Sequence, residues 1–361
     1  MRTGLLAVVF ISAVSACQPA PEPAPEAAPE ASAPRSWTFE QGSLFPAARG
    51  LSRAEDGVVL SDGRIVVVDQ RHGLTVINTD QSIRPFGKFA EAGYIHAPPA
   101  SAGPNGVTLE SDGANLLVAD VFTGVIYRVN VATEATQKIY SHPFGVNTAV
   151  SDSSGAIWFT QSTENAAGPD SETRLLSVPM TQYVTDGALF RIAPAAPGAA
   201  LPAAQRVLGD LAFANSIVID EKRGELYLSE TMADQITGYK LSVADGALSD
   251  RRVVGSVLSP DNVEVDETGL LWVASPVRNE VVTLNPETGD TRSVFRAQTP
   301  ANDTMSAEWK RRSAAREPVI DLFTPDLWAP MPGLVTGVVL TPSGGPVYIS
   351  GLADALLKLE P

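Results

Sequence analysis

Apolar and polar positions along this chain alternate in short bursts, and one burst recurs six times. Each copy is a glycine-containing turn followed by a short apolar strand: GRIVVVD from Gly63, GANLLVAD from Gly113, GAIWFTQ from Gly155, GELYLSE from Gly224, GLLWVAS from Gly269 and GPVYISG from Gly345. A second apolar run precedes the turn, as at Val107, Asn215 and Asn262, so each unit predicts a hairpin. Further strands follow from Gly124, Gln235 and Glu280. Three or four strands per unit, repeated six times, predict an all-β, six-bladed β-propeller. The spacings between the six glycines are 50, 42, 69, 45 and 76 residues, and the two long ones place insertions at about 162–187 and 296–333. No long amphipathic pattern alternates with the strands, which disfavours a parallel α/β sheet. A β-sandwich would not need the same hairpin six times.

The N-terminus follows different rules. Arg2 and the apolar run Leu5 to Val14 read as an export signal, too short to span a membrane. Val14-Ser15-Ala16-Cys17 resembles the bacterial lipobox, in which the cysteine takes a lipid and becomes the mature N-terminus. Residues 1–16 are thus expected to be a lipoprotein signal peptide, with Cys17 the lipidation site. Cys17 is the only cysteine of the 361 residues, so no thiol remains for a disulfide or a zinc site. Residues 17–36, rich in Pro, Ala and Glu, are expected to be an extended tether, with the propeller over 37–361. The expected location is the membrane surface, the outer membrane facing the periplasm if Gln18 acts as a sorting residue, and the expected state is a monomer.

Charge narrows the partners. There are 41 acidic and 26 basic residues, a net charge of −15. Such a field repels phosphate backbones and argues against nucleic acid. It fits either a solvated acidic surface or carboxylates gathered around a cation. Position decides what composition leaves open. Eight or nine residues before each repeat glycine stand Glu55, Asn105, Asn147, Asn215, Asp261 and Thr336. Equivalent inner-strand positions of a propeller converge on its axis, so five carboxylate or amide side chains are expected at one channel mouth. Taken singly, each could equally cap a turn; the shared phase favours a shared role. Oxygen donors without His or Cys suit Ca²⁺.

Here a resemblance appears. Glu55-Asp56 ahead of a turn strand, Phe213-Ala214-Asn215-Ser216-Ile217 and Pro260-Asp261-Asn262-Val263 resemble metal-binding strand starts of the paraoxonase/arylesterase group. That group belongs with gluconolactonases (SMP-30), regucalcin, diisopropylfluorophosphatase and the strictosidine synthase-like proteins, all six-bladed propellers. The resemblance runs over roughly 45–361. It implies a catalytic Ca²⁺ held by Glu55, Asn147, Asn215, Asp261 and Asn262, with Asp261 as catalytic base or nucleophile. It also implies a small ester or lactone as substrate, with Asn105, Asp120 and Trp328 as substrate-binding candidates. Two departures stand out. Paraoxonases carry histidines where this chain has Asn105 and Asp120, so their proposed His dyad is absent. Asp56 matches a ligand of a second calcium, but Thr148 replaces its partner. His142 could reach the channel mouth or cap a turn before Pro143; His72 and His96 read as surface residues. Trp158, Trp272 and Tyr227 read as blade packing, and Trp309, Trp328 and Met331 as lid or local core. The reading is a calcium-dependent ester or lactone hydrolase; the alternatives are a non-catalytic binding propeller with structural calcium and a strictosidine synthase-like enzyme. The anchoring reading has its own test: Cys17→Ser should abolish lipid labelling and shift the protein from membrane to soluble exported fractions on fractionation.

Overall fold

Two strands precede the first repeat, β1 (Trp37–Thr38) and β2 (Gly42–Phe45), and both serve blades at the far end of the sequence. Blade one comprises β3 (Gly57–Val59), β4 (Ile65–Asp69), β5 (Gly73–Ile77) and β6 (Ile83–Phe86). Blade two comprises β7 (Pro104–Leu109), β8 (Asn115–Asp120), β9 (Val125–Asn130) and β10 (Thr136–Ser141). Blade three holds β11 (Ala149–Ser151), β12 (Ile157–Gln161), β13 (Gly187–Ile192) and β14 (Gln205–Leu211), with helix α1 (Ser171–Gln182) inserted between β12 and β13. Blade four holds β15 (Ala214–Asp220), β16 (Glu225–Glu230), β17 (Gln235–Ser242) and β18 (Ala247–Ser256). Blade five runs through β19 (Val263–Val265), β20 (Leu271–Ser275), β21 (Glu280–Leu284) and β22 (Thr291–Arg296). Helices α2 (Pro300–Ala315) and α3 (Pro325–Trp328) then lead to blade six, β23 (Val335–Leu340), β24 (Val347–Gly351) and β25 (Leu356–Leu359). This computed structural model describes Met1 and residues 35–97, 102–196 and 198–361; the expected export signal, Cys17 and the expected tether up to Pro34 lie outside the described residues.

Within each blade the strands pair antiparallel in sequence order, inner to outer. The expected six-bladed propeller is therefore the observed fold. β2 supplies the outermost strand of blade six, Phe45 opposite Leu356 and Gly42 opposite Leu359. β1 adds a parallel fifth strand to blade five, Trp37 opposite Phe295. The chain's beginning thus closes the ring on its end.

The turns behave as their glycines require. Gly63, Gly113, Gly155, Gly224 and Gly269 all have φ between 62° and 85°, the left-handed region that costs a residue with a Cβ. In the sixth repeat Gly344, not Gly345, takes that conformation. In blades three and five an aspartate organises the same turn. Asp152 accepts from the backbone N–H groups of Ser154 and Ala156 and from Trp158 Nε1 at 2.8 Å. Asp266 does the same for Thr268, Leu270 and Trp272 Nε1. Both tryptophans, with Tyr227, pack between blades as the sequence indicated.

Alternation along a strand sends successive side chains to opposite faces, and each blade face meets a neighbour. Val66 and Val68 pack toward blade two, whereas Ile65 and Val67 pack toward blade six. Six apolar clusters result, one at each blade junction. A seventh lies over the channel mouth and joins α1, α2 and α3 to Phe213, Val277 and Leu334. The helices belong to the two sequence insertions and leave the blades unbroken.

Phe45 sits in the closure. Its ring is buried, 5.0 Å from that of Tyr348. Phe45→Ala should lower the free energy of unfolding by about 3 kcal/mol, measurable by urea denaturation.

Candidate metal centre

The inner strands begin at the channel mouth, and there the sequence-selected residues converge. Glu55, Asn105, Asn147, Asn215, Asp261 and Thr336, one from each blade, line a single cavity with Arg53. Local irregularity contributes to this. The β7–β8, β15–β16 and β23–β24 pairings each slip in register where Asn105, Asn215 and Thr336 lie. Such bulges re-aim side chains beside sites.

The backbones of three candidate ligands are held by hydroxyls. Ser350 and Thr336 donate to the Glu55 carbonyl at 2.8 and 2.9 Å. Ser229 of blade four donates to the Asp261 carbonyl of blade five at 2.7 Å. Thr160 of blade three likewise bonds the Asn215 carbonyl of blade four. Thr160, Ser229 and Ser350 occupy the same place in their second strands, next to last. The sequence reading missed them; the signal was a hydroxyl at a fixed phase inside otherwise apolar strands.

Side chains above this frame form a directional chain. Arg53 Nη2 donates to Asn105 Oδ1 at 2.9 Å, Asn105 Nδ2 to Asn147 Oδ1 at 3.2 Å, and Asn147 Nδ2 to Ser162 Oγ at 3.0 Å. Arg53 also donates to the Pro104 carbonyl and lies over the Phe122 ring. Its backbone is left-handed, with φ 57°. Nothing in the repeat pattern marks Arg53, and it was not foreseen.

Several oxygens have no protein partner. Glu55 Oε2, Asn215 Oδ1 and Asn262 Oδ1 are buried and accept nothing, and Asn262 Nδ2 donates to Glu55 Oε1 at 3.3 Å. Buried acceptors are rarely left so; these three belong to the residues selected as ligands, and Asp120, Asn279 and Asn302 carry such oxygens elsewhere. Asn147 Oδ1 is less free, because Thr148 Oγ1 also donates to it at 3.2 Å. Among the described residues no group of three or more His, Cys, Asp and Glu is placed to hold a metal. The donors here are two carboxylates with amide oxygens. That set fits a hard, oxygen-coordinated divalent cation.

Acidity follows from burial. Removal from water pushes the Glu55 carboxyl up, reinforced by the charges of Asp261 and Asp56 and opposed by Arg53. Burial likewise pushes Asp261 up to about 7, against the Asn215 hydrogen bond and the Arg53 charge. In the channel behind them, desolvation pushes Asp56 up to about 7 and Glu264 up to about 8.

Other candidates lie elsewhere. Asp120 is fully buried and does not line the cavity; it accepts from the N–H groups of Gly103, Phe122 and Thr123, a turn-binding role. Trp328 stays off the cavity wall and packs against Phe323. Neither of these expected substrate-binding residues is therefore among those that line the cavity. Asn262 also stays off the cavity lining and reaches the site through Glu55. Asp56 is occupied by the backbone of Gly57 and Val107. Met331 belongs to the junction of blades five and six, whereas Trp309 is on the wall. His142 is buried against Gln161 and three phenylalanines, and His72 and His96 are exposed.

Residues 140–307 match the family model described as the SMP-30/Gluconolactonase/LRE-like region. The fold is that of the gluconolactonase-like propellers. The matched stretch carries Asn147, Asn215, Asp261 and Asn262. Among similar solved structures is a gluconolactonase from Xanthomonas campestris, with TM-score 0.57, 18% identity and coverage of 88% of this chain and 94% of that one. A calcium-binding protein, regucalcin, from Agrobacterium tumefaciens gives TM-score 0.57 at 12% identity, covering 90% and 95%. A luciferin-regenerating enzyme gives 0.55 at 12% identity, covering 88% and 94%. No curated protein matches the chain by sequence. At these identities the structural likeness establishes architecture alone.

A carboxyl made less acidic by folding favours the fold while protonated. Its contribution is complete below the unfolded value near 4 and is lost as pH rises through about 7. The metal-free protein should therefore lose stability from this cluster between about pH 4 and about pH 8. An added divalent cation should raise Tm more at the alkaline end. Glu55→Gln should stabilise the metal-free protein near neutrality and abolish the cation-induced rise, as thermal unfolding with and without calcium would show.

Proposed function

We propose that this propeller is a calcium-dependent hydrolase of carboxylic esters or lactones, exported and held at a membrane surface by a lipid on Cys17. The observation that supports the reading most is the cavity floor. Two carboxylates, Glu55 and Asp261, and Asn215, whose amide oxygen is unpartnered, line one cavity together with apolar side chains of the insertions. The residues that would hold the ion are Glu55, Asn147, Asn215, Asp261 and Asn262. A cation bound there supplies Lewis-acid polarisation of a carbonyl oxygen.

The chain's own part begins with Asp261, which faces the cavity. Its carboxylate takes a proton from water as the water oxygen bonds to the carbonyl carbon. The proton passes to the departing alkoxide oxygen as the acyl C–O bond breaks, and the carboxylate is regenerated. A lactone yields its hydroxy acid; an ester yields an acid and an alcohol. Asn105 and Arg53 border the same space and orient polar atoms of the substrate, while the apolar walls exclude competing water.

An ester and lactone panel with and without a calcium chelator tests the reading. At saturating calcium, Asp261→Asn should lose turnover on the order of 10²-fold or more while keeping most of its calcium-dependent thermal stabilisation. Asn215→Ala should weaken calcium affinity first, so added calcium should partly restore its activity. Near-parental turnover by Asp261→Asn would remove the role assigned to it. A binding module predicts no hydrolysis by the parent protein at all.

A further inference from the structure

Three charged side chains line the cavity: Arg53, Glu55 and Asp261. The two carboxylates answer the proposed cation, and Arg53 has no counter-charge of its own. Its charge is felt at both acids, yet among the described residues it is in no ion pair. Arg128, Arg223 and Arg252, also half-buried, each hold a carboxylate, that of Glu110, Asp220 and Glu225, at 2.7, 2.8 and 2.6 Å. Arg53 instead gives its protons to two neutral oxygens, the Pro104 carbonyl at 3.0 Å and Asn105 Oδ1 at 2.9 Å.

The guanidinium is also fixed in place. It lies over the Phe122 ring, 5.3 Å from the centroid. That ring is seated by its own loop, where Asp120 Oδ1 accepts from the N–H groups of Gly103, Phe122 and Thr123. A Cβ at Gly103 would stand 2.2 Å from the Phe122 ring, so glycine there leaves the ring its room. Asp120, off the cavity wall, thus positions the platform on which Arg53 rests. A guanidinium has five N–H groups in one plane; two have protein acceptors, which leaves three for a ligand. Arg53 is half-buried rather than enclosed, so a molecule entering the cavity meets its open surface. A planar fork held in this way matches a carboxylate.

Resting on the hydrolase reading above, we propose that the substrate is an ester or lactone carrying a carboxylate away from its scissile carbonyl, and that Arg53 binds this carboxylate. Arg53 is then a specificity-determining residue. A divalent cation cancels the charges of Glu55 and Asp261 and leaves the cavity one unit positive. A monoanion neutralises that charge; a neutral substrate leaves it unpaired in a poorly hydrated space, which is costly.

The test compares δ-lactones whose tails, of increasing length, end in a carboxylate with their matched primary amides, all at saturating calcium. The corresponding lactams serve as non-hydrolysed ligands whose Kd is read by calorimetry. At one tail length the parent protein should favour acid over amide by about tenfold or more, in kcat/KM and in lactam Kd. Arg53→Gln should bring that acid-to-amide ratio to about one. Arg53→Lys keeps the charge without the fork and should retain part of the preference. A parental ratio in Arg53→Gln would assign the carboxylate to the cation and overturn the proposal. Glucono-δ-lactone turned over faster than every acid would also overturn it, while leaving the hydrolase reading intact. If nothing is hydrolysed, that reading falls, and the lactam Kd ratios still decide whether Arg53 reads a carboxylate. Should Arg53→Gln fold poorly, Arg53→Lys decides instead, a ratio equal to the parent's rejecting the proposal. No preference for the acid in the parent at any tail length rejects it outright.

Discussion

Ring closure is the constraint on which everything else depends. A propeller blade is apolar on both faces, so it is stable only between two neighbours, and the first and last blades have two neighbours only if the circle is completed. Here completion is a matter of four residues, Gly42–Phe45, pairing with Leu356–Leu359. Once closed, the inner strands have no freedom to splay, and six strand starts must share one axis. The meeting of Glu55 and Asp261, from blades one and five, follows from that geometry. Two acids held close in a poorly hydrated place repel, and the fold tolerates them because packing at six junctions outweighs the repulsion. A cation is the natural relief.

Much of this was legible in the sequence, for a definite reason. A repeat fixes phase, and phase converts a list of Asn and Asp residues into positions on one axis. Glu55, Asn105, Asn147, Asn215, Asp261 and Thr336 could be selected without any knowledge of the blades' tilt. Phase says nothing of residues outside the repeat. Arg53 reaches the cavity through a left-handed backbone that no spacing reveals. Asp120 stands where paraoxonases carry a histidine, yet its Oδ1 accepts from three backbone N–H groups and the residue does not line the cavity. Trp309 and Trp328 were indistinguishable in one insertion. Only the packing of α2 and α3 against Val277 and Leu334 separates them.

The hydroxyl frame shows how one blade positions another's ligand. Thr160, Ser229 and Ser350 each reach across a blade junction to a carbonyl at the next strand start. In blades one, two and five the equivalent places hold Val68, Ala119 and Ala274, so the device appears only ahead of Asn215, Asp261 and Glu55. An interior hydroxyl is costly unless bonded, and these three are bonded. Rigidity is thus concentrated on the residues selected as ligands rather than spread evenly around the ring.

The bond from Ser350 to Glu55 spans 295 residues of chain, and that from Thr336 spans 281. The first of the candidate ligands in chain order is therefore seated by residues of the sixth blade. A growing polypeptide cannot assemble the centre blade by blade. The cluster stays incomplete until the sixth blade has been made, and contacts so distant along the chain make its assembly slow.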